Sequence, residues 1–190
     1  MAVTKAVEMA KTWPDEMFVS VNLSPAQFNR NDLPEKIFDI LYEAVFPANR
    51  LELEVTENLL MGDEEDVARQ LKTLKDAGIS IAMDDFGTGY SSLGYLWKYS
   101  VDRLKVDRSF LKSYDQHPER QRKIIETIVE LGHNLGMEVT VEGVEQEEHV
   151  ELLSSLNCDV LQGYLFGKPE THDPSKPIEG DVSGPRKSTG

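Results

Sequence analysis

The sequence predicts an α/β fold of the TIM-like (β/α) barrel class, for two reasons. Short β-rich runs alternate with longer amphipathic segments, and the runs share a two-residue parity that ends in polar or charged residues. The runs lie at 18–24, 51–57, 79–86, 103–107, 137–143 and 158–164. One parity is apolar: Val19 and Val21, Leu53 and Val55, Ile81 and Met83, Leu104 and Val106, Val139 and Val141. The other leads from Ser20 to Asn22, Glu52 to Glu54, Ala82 to Asp84, Arg103 to Lys105, Thr140 to Glu142 and Val160 to Gln162. Alternate side chains of a strand face opposite sides. The apolar set therefore packs under outer helices, and the polar set turns inward to a site at the strands' C-terminal ends.

Helical patterns fill the gaps between these runs. After a first segment at 3–13, they fall at 33–45 with Asp32 as N-cap, at 64–77 and 117–135 with Gly78 and Gly136 in C-cap positions, and at 147–156. From residue 171 the composition turns to Pro, Gly, Ser and charge, which reads as a disordered polar tail over 171–190 after one domain over 1–170.

At 190 residues and 39% hydrophobic, the chain suits one domain with one core. Its 34 acidic and 20 basic residues give a formal charge of −14. That balance argues against a nucleic-acid duplex or an anionic membrane as main partner, and an anionic ligand would need bound cations as intermediaries. A single cysteine, Cys158, excludes an intramolecular disulfide. No signal-peptide pattern follows Met1, and no apolar run approaches the roughly 20 residues that span a bilayer, so the chain reads as soluble and cytoplasmic.

One strand-end acid usually caps a helix or faces solvent, but here six strand ends converge. Glu54, Asp84, Asp85 and Glu142, with Asn22 beside them and one inward ammonium, would repel strongly without cations, which predicts a divalent metal site. Oxygen ligands without a His or Cys cluster favour Mg²⁺ or Mn²⁺ over zinc. Adjacent aspartates also suit two ions clamping a phosphodiester. Lys105 has three readings: a Schiff-base lysine, an ion-pair partner of Asp107, or a group that orients a water or a phosphate oxygen. The surrounding carboxylates disfavour the first. Glu57 and Glu145, each three residues beyond an inward glutamate, read equally as support for the site or as caps of the next segment. Glu52 places an acid lower in the barrel, at the bottom opening or where the strand twists. Glycines after Asp85 let the loop turn over the site. His117, His149 and His172 are assigned to the surface or tail, His133 has no partner at metal-ligand spacing, and Trp13 and Cys158 read as packing.

The segments SVNLSPAQF, LELEVTENLL, MDDFGTGYSSL, LKVDRSFL, VTVEGVEQEE and DVLQGYLFGKP, in this order, closely resemble the EAL-domain family of cyclic di-GMP phosphodiesterases from about Val19 to Pro169. The resemblance implies a barrel that uses two Mg²⁺ or Mn²⁺ ions to open cyclic di-GMP to the linear dinucleotide pGpG. By the same resemblance Asn22, Glu54, Asp84, Asp85 and Glu142 are metal ligands, with Asp84 bridging. Lys105 positions the attacking water, Gln162 orients water or supports the site, Glu145 is a further site glutamate, and Glu57 anchors the loop after Asp85. The family's Glu-Ala-Leu strand, with its metal-ligating glutamate, has no counterpart: Glu43-Ala44-Val45 follows VNLSP and lies in a helical pattern. The expectation is thus an N-terminally truncated barrel with about six of eight strands, weak or inactive as an enzyme. The alternative is a non-catalytic module that binds cyclic di-GMP or a protein and completes its barrel by homodimerisation through the open edge.

Overall fold

The computed structural model describes residues 2–60, 65–88, 93–99, 101–114 and 117–169. The polar tail and His172 lie outside the described residues, as do Gly89 to Ser92 of the loop after Asp85.

Six parallel strands form one sheet in sequence order: β1 (Val19–Leu23), β2 (Leu51–Thr56), β3 (Ser80–Phe86), β4 (Arg103–Val106), β5 (Glu138–Glu142) and β6 (Val160–Gln162). The helices are α1 (Ala2–Ala10), α2 (Leu33–Ala44), the short α3 (Glu57–Leu60), α4 (Glu65–Asp76), α5 (Leu93–Lys98), α6 (Ser109–Lys112), α7 (Pro118–Asn134) and α8 (Glu147–Ser155). The result is a half-barrel, an incomplete TIM-like (β/α) barrel, as the alternation and parity predict. Its edge strands β1 and β6 each pair on one side only, with β2 and β5, and have no strand on the outer side among the described residues. No helix among those residues is long and apolar enough to cross a membrane.

The apolar parity builds the core. Val19, Val21, Leu53, Val55, Ile81, Met83, Leu104, Val106, Val139 and Val141 are all buried on the helix-covered face. Against them pack Val3 and Val7 of α1, Ile37 and Leu41 of α2, Leu71 and Leu74 of α4, Ile125 and Val129 of α7, and Leu152 and Leu153 of α8. Spacings of three and four residues put each helix's apolar side chains on one stripe, whose burial offsets the entropy of ordering the chain. Gly78 and Gly136 end α4 and α7 at φ +90° and +75°, as their positions predict. Glu43 and Ala44 are the last residues of α2 and belong to no strand.

Two local expectations need correction. The Asp32 side chain does not cap α2; its carboxylate pairs with Lys36 at 2.7 Å, an exposed contact one turn on. His149 is buried at 5% exposure, edge-on to the Tyr114 ring, and its Nδ1 accepts the Glu145 backbone N–H at 3.5 Å. A histidine in the first turn of an amphipathic helix looks exposed by composition, but the third residue of α8 falls on the stripe with Leu152 and Leu153. His133 finds a non-metal partner, Asp159 Oδ2 at 2.8 Å, and the same oxygen accepts the Val139 N–H. Cys158 is half-buried, and desolvation together with the Asp159 charge pushes its thiol up to about 12, which leaves it a packing residue.

The ends of β5 and β6 are stitched together above the sheet. Val144 N–H donates to the Gln162 carbonyl and Leu165 N–H to the Val144 carbonyl, both at 3.0 Å. Gly163 makes this approach feasible, because a Cβ there would lie 2.0 Å from the Val144 carbonyl oxygen and 2.3 Å from its nitrogen. Backbone cannot yield as a flexible side chain can, so Gly163→Ala is expected to cost about 1–3 kcal/mol. Thermal denaturation would show a midpoint several degrees lower; an unchanged midpoint would mean that the strand ends part easily.

Candidate active site

The inward parity lines a cavity of about 490 Å³ formed by Phe18, Ser20, Asn22, Glu52, Glu54, Asp84, Arg103, Lys105, Thr140, Glu142, Val160 and Gln162. Strand register explains how distant residues meet. Asn22 lies beside Glu54, Lys105 beside Thr140, and Glu142 beside Gln162. A larger apolar hollow of about 780 Å³ lies on the outside, around Tyr42 and Val45 at the end of α2, and gathers no comparable polar groups.

The polar groups form two layers. In the lower one Arg103 pairs with Glu52 at 2.9 Å and with Glu138, Ser20 donates to Glu52, and Phe18 covers the guanidinium at 4.7 Å. Glu52 therefore does not emerge at the bottom opening: it is 3% exposed and paired with Arg103. Burial still raises its carboxyl above the ordinary glutamate value, against the lowering by Arg103 and Ser20. Arg103 and Phe18 escape a reading by acid clusters, although Arg103 shares Lys105's parity, which is the signal that points to it.

In the upper layer the Lys105 ammonium lies 2.8 Å from Glu54 Oε1, 2.7 Å from Glu142 Oε1 and 3.4 Å from Asp84 Oδ1. Burial pulls its pKa down, but the hydrogen bonds to Glu142 and Glu54 and the charges of Glu54 and Asp84 more than reverse this and hold it above the usual lysine range. That charge disfavours a neutral amine nucleophile, and Lys105 is paired with these three acids; Asp107 accepts the Ser109 backbone N–H at 2.9 Å. Burial likewise raises Glu142, with Lys105 opposing and Asp84 and Glu54 reinforcing. Asp84 Oδ1 is fully buried and accepts no hydrogen bond.

Asp85 does not line the cavity, although it lies near enough to feel the charges of Asp84, Lys105 and Glu54, and parity does not give its position. Between Met83 and Phe86 the β3–β4 register slips, so that Met83 lies beside Leu104 and Phe86 beside Val106. One residue too many on β3 is a β-bulge, and Asp85 occupies it at φ +56°, a conformation that aspartate tolerates better than most residues. Asp85 is exposed, and burial and the charges of Asp84 and Asp107 raise its carboxyl. Gly87 follows at φ +89° and turns the chain away.

The remaining expected residues are placed differently. Gln162 lines the cavity beside Glu142. Glu57 starts α3, is 5% exposed, and neither carboxylate oxygen has a hydrogen-bond partner among the described residues. Glu145 is exposed beyond β5 and does not line the cavity. The donor set of Asn22, Glu54, Asp84 and Glu142 offers oxygen ligands and carries excess negative charge, which suits a hard divalent cation, and Asp84 Oδ1, 3.4 Å from Lys105, accepts no hydrogen bond. As they stand, the acids gather around the ammonium, and no three His, Cys, Asp or Glu side chains among the described residues converge closely enough to hold an ion.

Comparison with known proteins agrees with this architecture. NbdA of Pseudomonas aeruginosa, a cyclic di-GMP phosphodiesterase, is 37% identical over 155 residues, covering 82% of this chain and 20% of its own length. The PaMucR phosphodiesterase, from the same organism and solved as a cyclic di-GMP complex, superimposes with a TM-score of 0.81 at 36% identity, over 88% of this chain and 69% of that one. Klebsiella pneumoniae BlrP1, in a manganese and cyclic di-GMP complex, gives 0.78 at 29% identity, over 87% and 43%. The chain spans about a fifth of the length of the curated relatives it matches. The EAL domain family model matches residues 1–169, nearly the whole described chain, and on that match the chain belongs to the EAL domain family.

Proposed function

We propose that this chain supplies the metal-binding wall of a cyclic di-GMP phosphodiesterase site, in which Asn22, Glu54, Asp84, Asp85 and Glu142 hold two Mg²⁺ or Mn²⁺ ions. The observation that carries the reading is the group of Glu54, buried, with Asp84 and Glu142, half-buried, on one ammonium at the C-terminal ends of parallel strands, with Asp84 Oδ1 accepting no hydrogen bond. When bound, such ions lower the pKa of an attacking water and neutralise charge on the phosphate oxygens. Water adds to one phosphorus of the cyclic ligand, the bond from that phosphorus to the 3′ oxygen breaks, and the 3′ oxygen leaves with a proton as pGpG forms. Lys105 orients the water, and Gln162, beside Glu142, keeps that carboxylate or the water in place.

Activity in the 190-residue form is weak, because the outer edges of β1 and β6 are free among the described residues and the cavity stays open between them. Purified chain incubated with cyclic di-GMP and Mg²⁺ or Mn²⁺ is expected to give slow pGpG formation by chromatography, abolished by EDTA. Product formed equally in EDTA would remove the metal from the reading.

A second reading is a binding module that closes its cavity against another copy. Favouring it, Phe18 before β1 and Tyr164 and Phe166 after β6 are exposed aromatics beside the two free edges. Light scattering that shows a dimer, with cyclic di-GMP bound and no pGpG released, would select it.

A further inference from the structure

We propose that Lys105 is the built-in counter-ion of the metal-free centre: its ammonium holds Glu54, Asp84 and Glu142 together, and a divalent cation enters by displacing it from them. The inference rests on the reading that these carboxylates bind metal. Three acids around one ammonium leave a net charge of −2, so the group tolerates burial without an ion and still attracts a divalent one. Among the described residues no other cation lining the cavity serves this layer, since Arg103 is committed to Glu52 and Glu138 below. Glu54 and Glu142 each turn one carboxylate oxygen, Oε1, onto Lys105, at 2.8 and 2.7 Å. That arrangement accounts for a centre whose acids gather on the ammonium while no three side chains among the described residues stand ready to hold an ion. Metal entry then frees the ammonium for water or a phosphate oxygen, so the group that orients the reaction becomes available only once the centre is loaded.

The test compares Mn²⁺ binding by wild type and Lys105→Met at pH 8, followed by the electron paramagnetic resonance of free Mn²⁺. The variant is expected to bind Mn²⁺ at least about tenfold more tightly, because a positive charge beside the ion is removed. Its melting midpoint should fall below wild type in EDTA and gain more from Mn²⁺. Equal or weaker Mn²⁺ binding by the folded variant overturns the inference. Wild type gives a second readout if the variant does not fold: in ¹⁵N-lysine-labelled protein the Lys105 Nζ resonance is expected to move as Mg²⁺ binds, and a resonance that stays fixed while Mg²⁺ binds also overturns it. If neither protein binds Mn²⁺, the metal reading itself falls and takes this inference with it; Mn²⁺ binding without a Lys105 effect removes the inference alone.

Discussion

Asp84→Asn is expected to slow pGpG formation by about a thousandfold or more, equivalent to ~4 kcal/mol of transition-state stabilisation, while leaving the chain folded. Asparagine keeps the shape of aspartate and removes its charge. Shape matters here, because Asp84 is the last regular residue of β3 before the bulge, and a change of volume would disturb Asp85 and Phe86 as well. Charge is what the proposed ions need, and the oxygen concerned, Oδ1, accepts no hydrogen bond whose loss would confuse the result. Without metal, the substitution removes one of three like charges crowded on Lys105 and forfeits only its longest contact, 3.4 Å. Metal-free stability should therefore change by less than about 1 kcal/mol, whereas the stabilisation conferred by Mg²⁺ should shrink. Chromatography for pGpG and calorimetry with and without Mg²⁺ read the two effects separately. Turnover at the wild-type rate by the folded variant would place the reacting centre elsewhere.

Strand order, the two faces of the sheet and most of the upper layer were legible because they depend on periodicity. A parallel strand with one face under helices and the other in a cavity must alternate, and Asn22, Glu54, Lys105, Glu142 and Gln162 follow that rule. Asp85 does not, since a bulge shifts register by one residue and leaves no mark in the residue types beyond the doubled aspartate itself. Glu52 was visible but not its meaning, because its partner Arg103 stands two strands away, and only barrel curvature brings them to 2.9 Å. Glu145 shows the converse: a spacing of three after Glu142 marks the family, yet the chain has already left the strand and the side chain is exposed. Polarity misled at His149, where a buried ring on the stripe of α8 resembles a surface residue in composition alone.

Least legible of all was Arg50, whose loss carries the largest expected effect on stability. It is 7% exposed, and nothing around it in sequence marks it as more than a surface cation before β2. Its guanidinium reaches back into the connection between α1 and β1, donating from Nε to the Met17 carbonyl at 2.7 Å and from Nη2 to the carbonyls of Ala10, Trp13 and Pro14 at 3.0 to 3.2 Å. Asp15 adds an ion pair at 3.2 Å, and Phe46 lies 5.0 Å below the guanidinium carbon. The carbonyls outweigh the ion pair, because Asp15 is fully exposed and solvent screens its charge. Arg50→Met leaves four carbonyls short of a donor and frees the connection that leads into β1, so it is expected to cost about 3–5 kcal/mol. Arg50→Lys keeps the charge but not the planar fork that serves several acceptors at once, and should recover less than half of that loss. Asp15→Asn should cost far less than either, since solvent screens its charge. Denaturant unfolding of the three variants checks the order. If Asp15→Asn proved as damaging as Arg50→Met, the ion pair rather than the carbonyl cradle would be what fixes β1, and with it the position of Asn22 at the cavity wall.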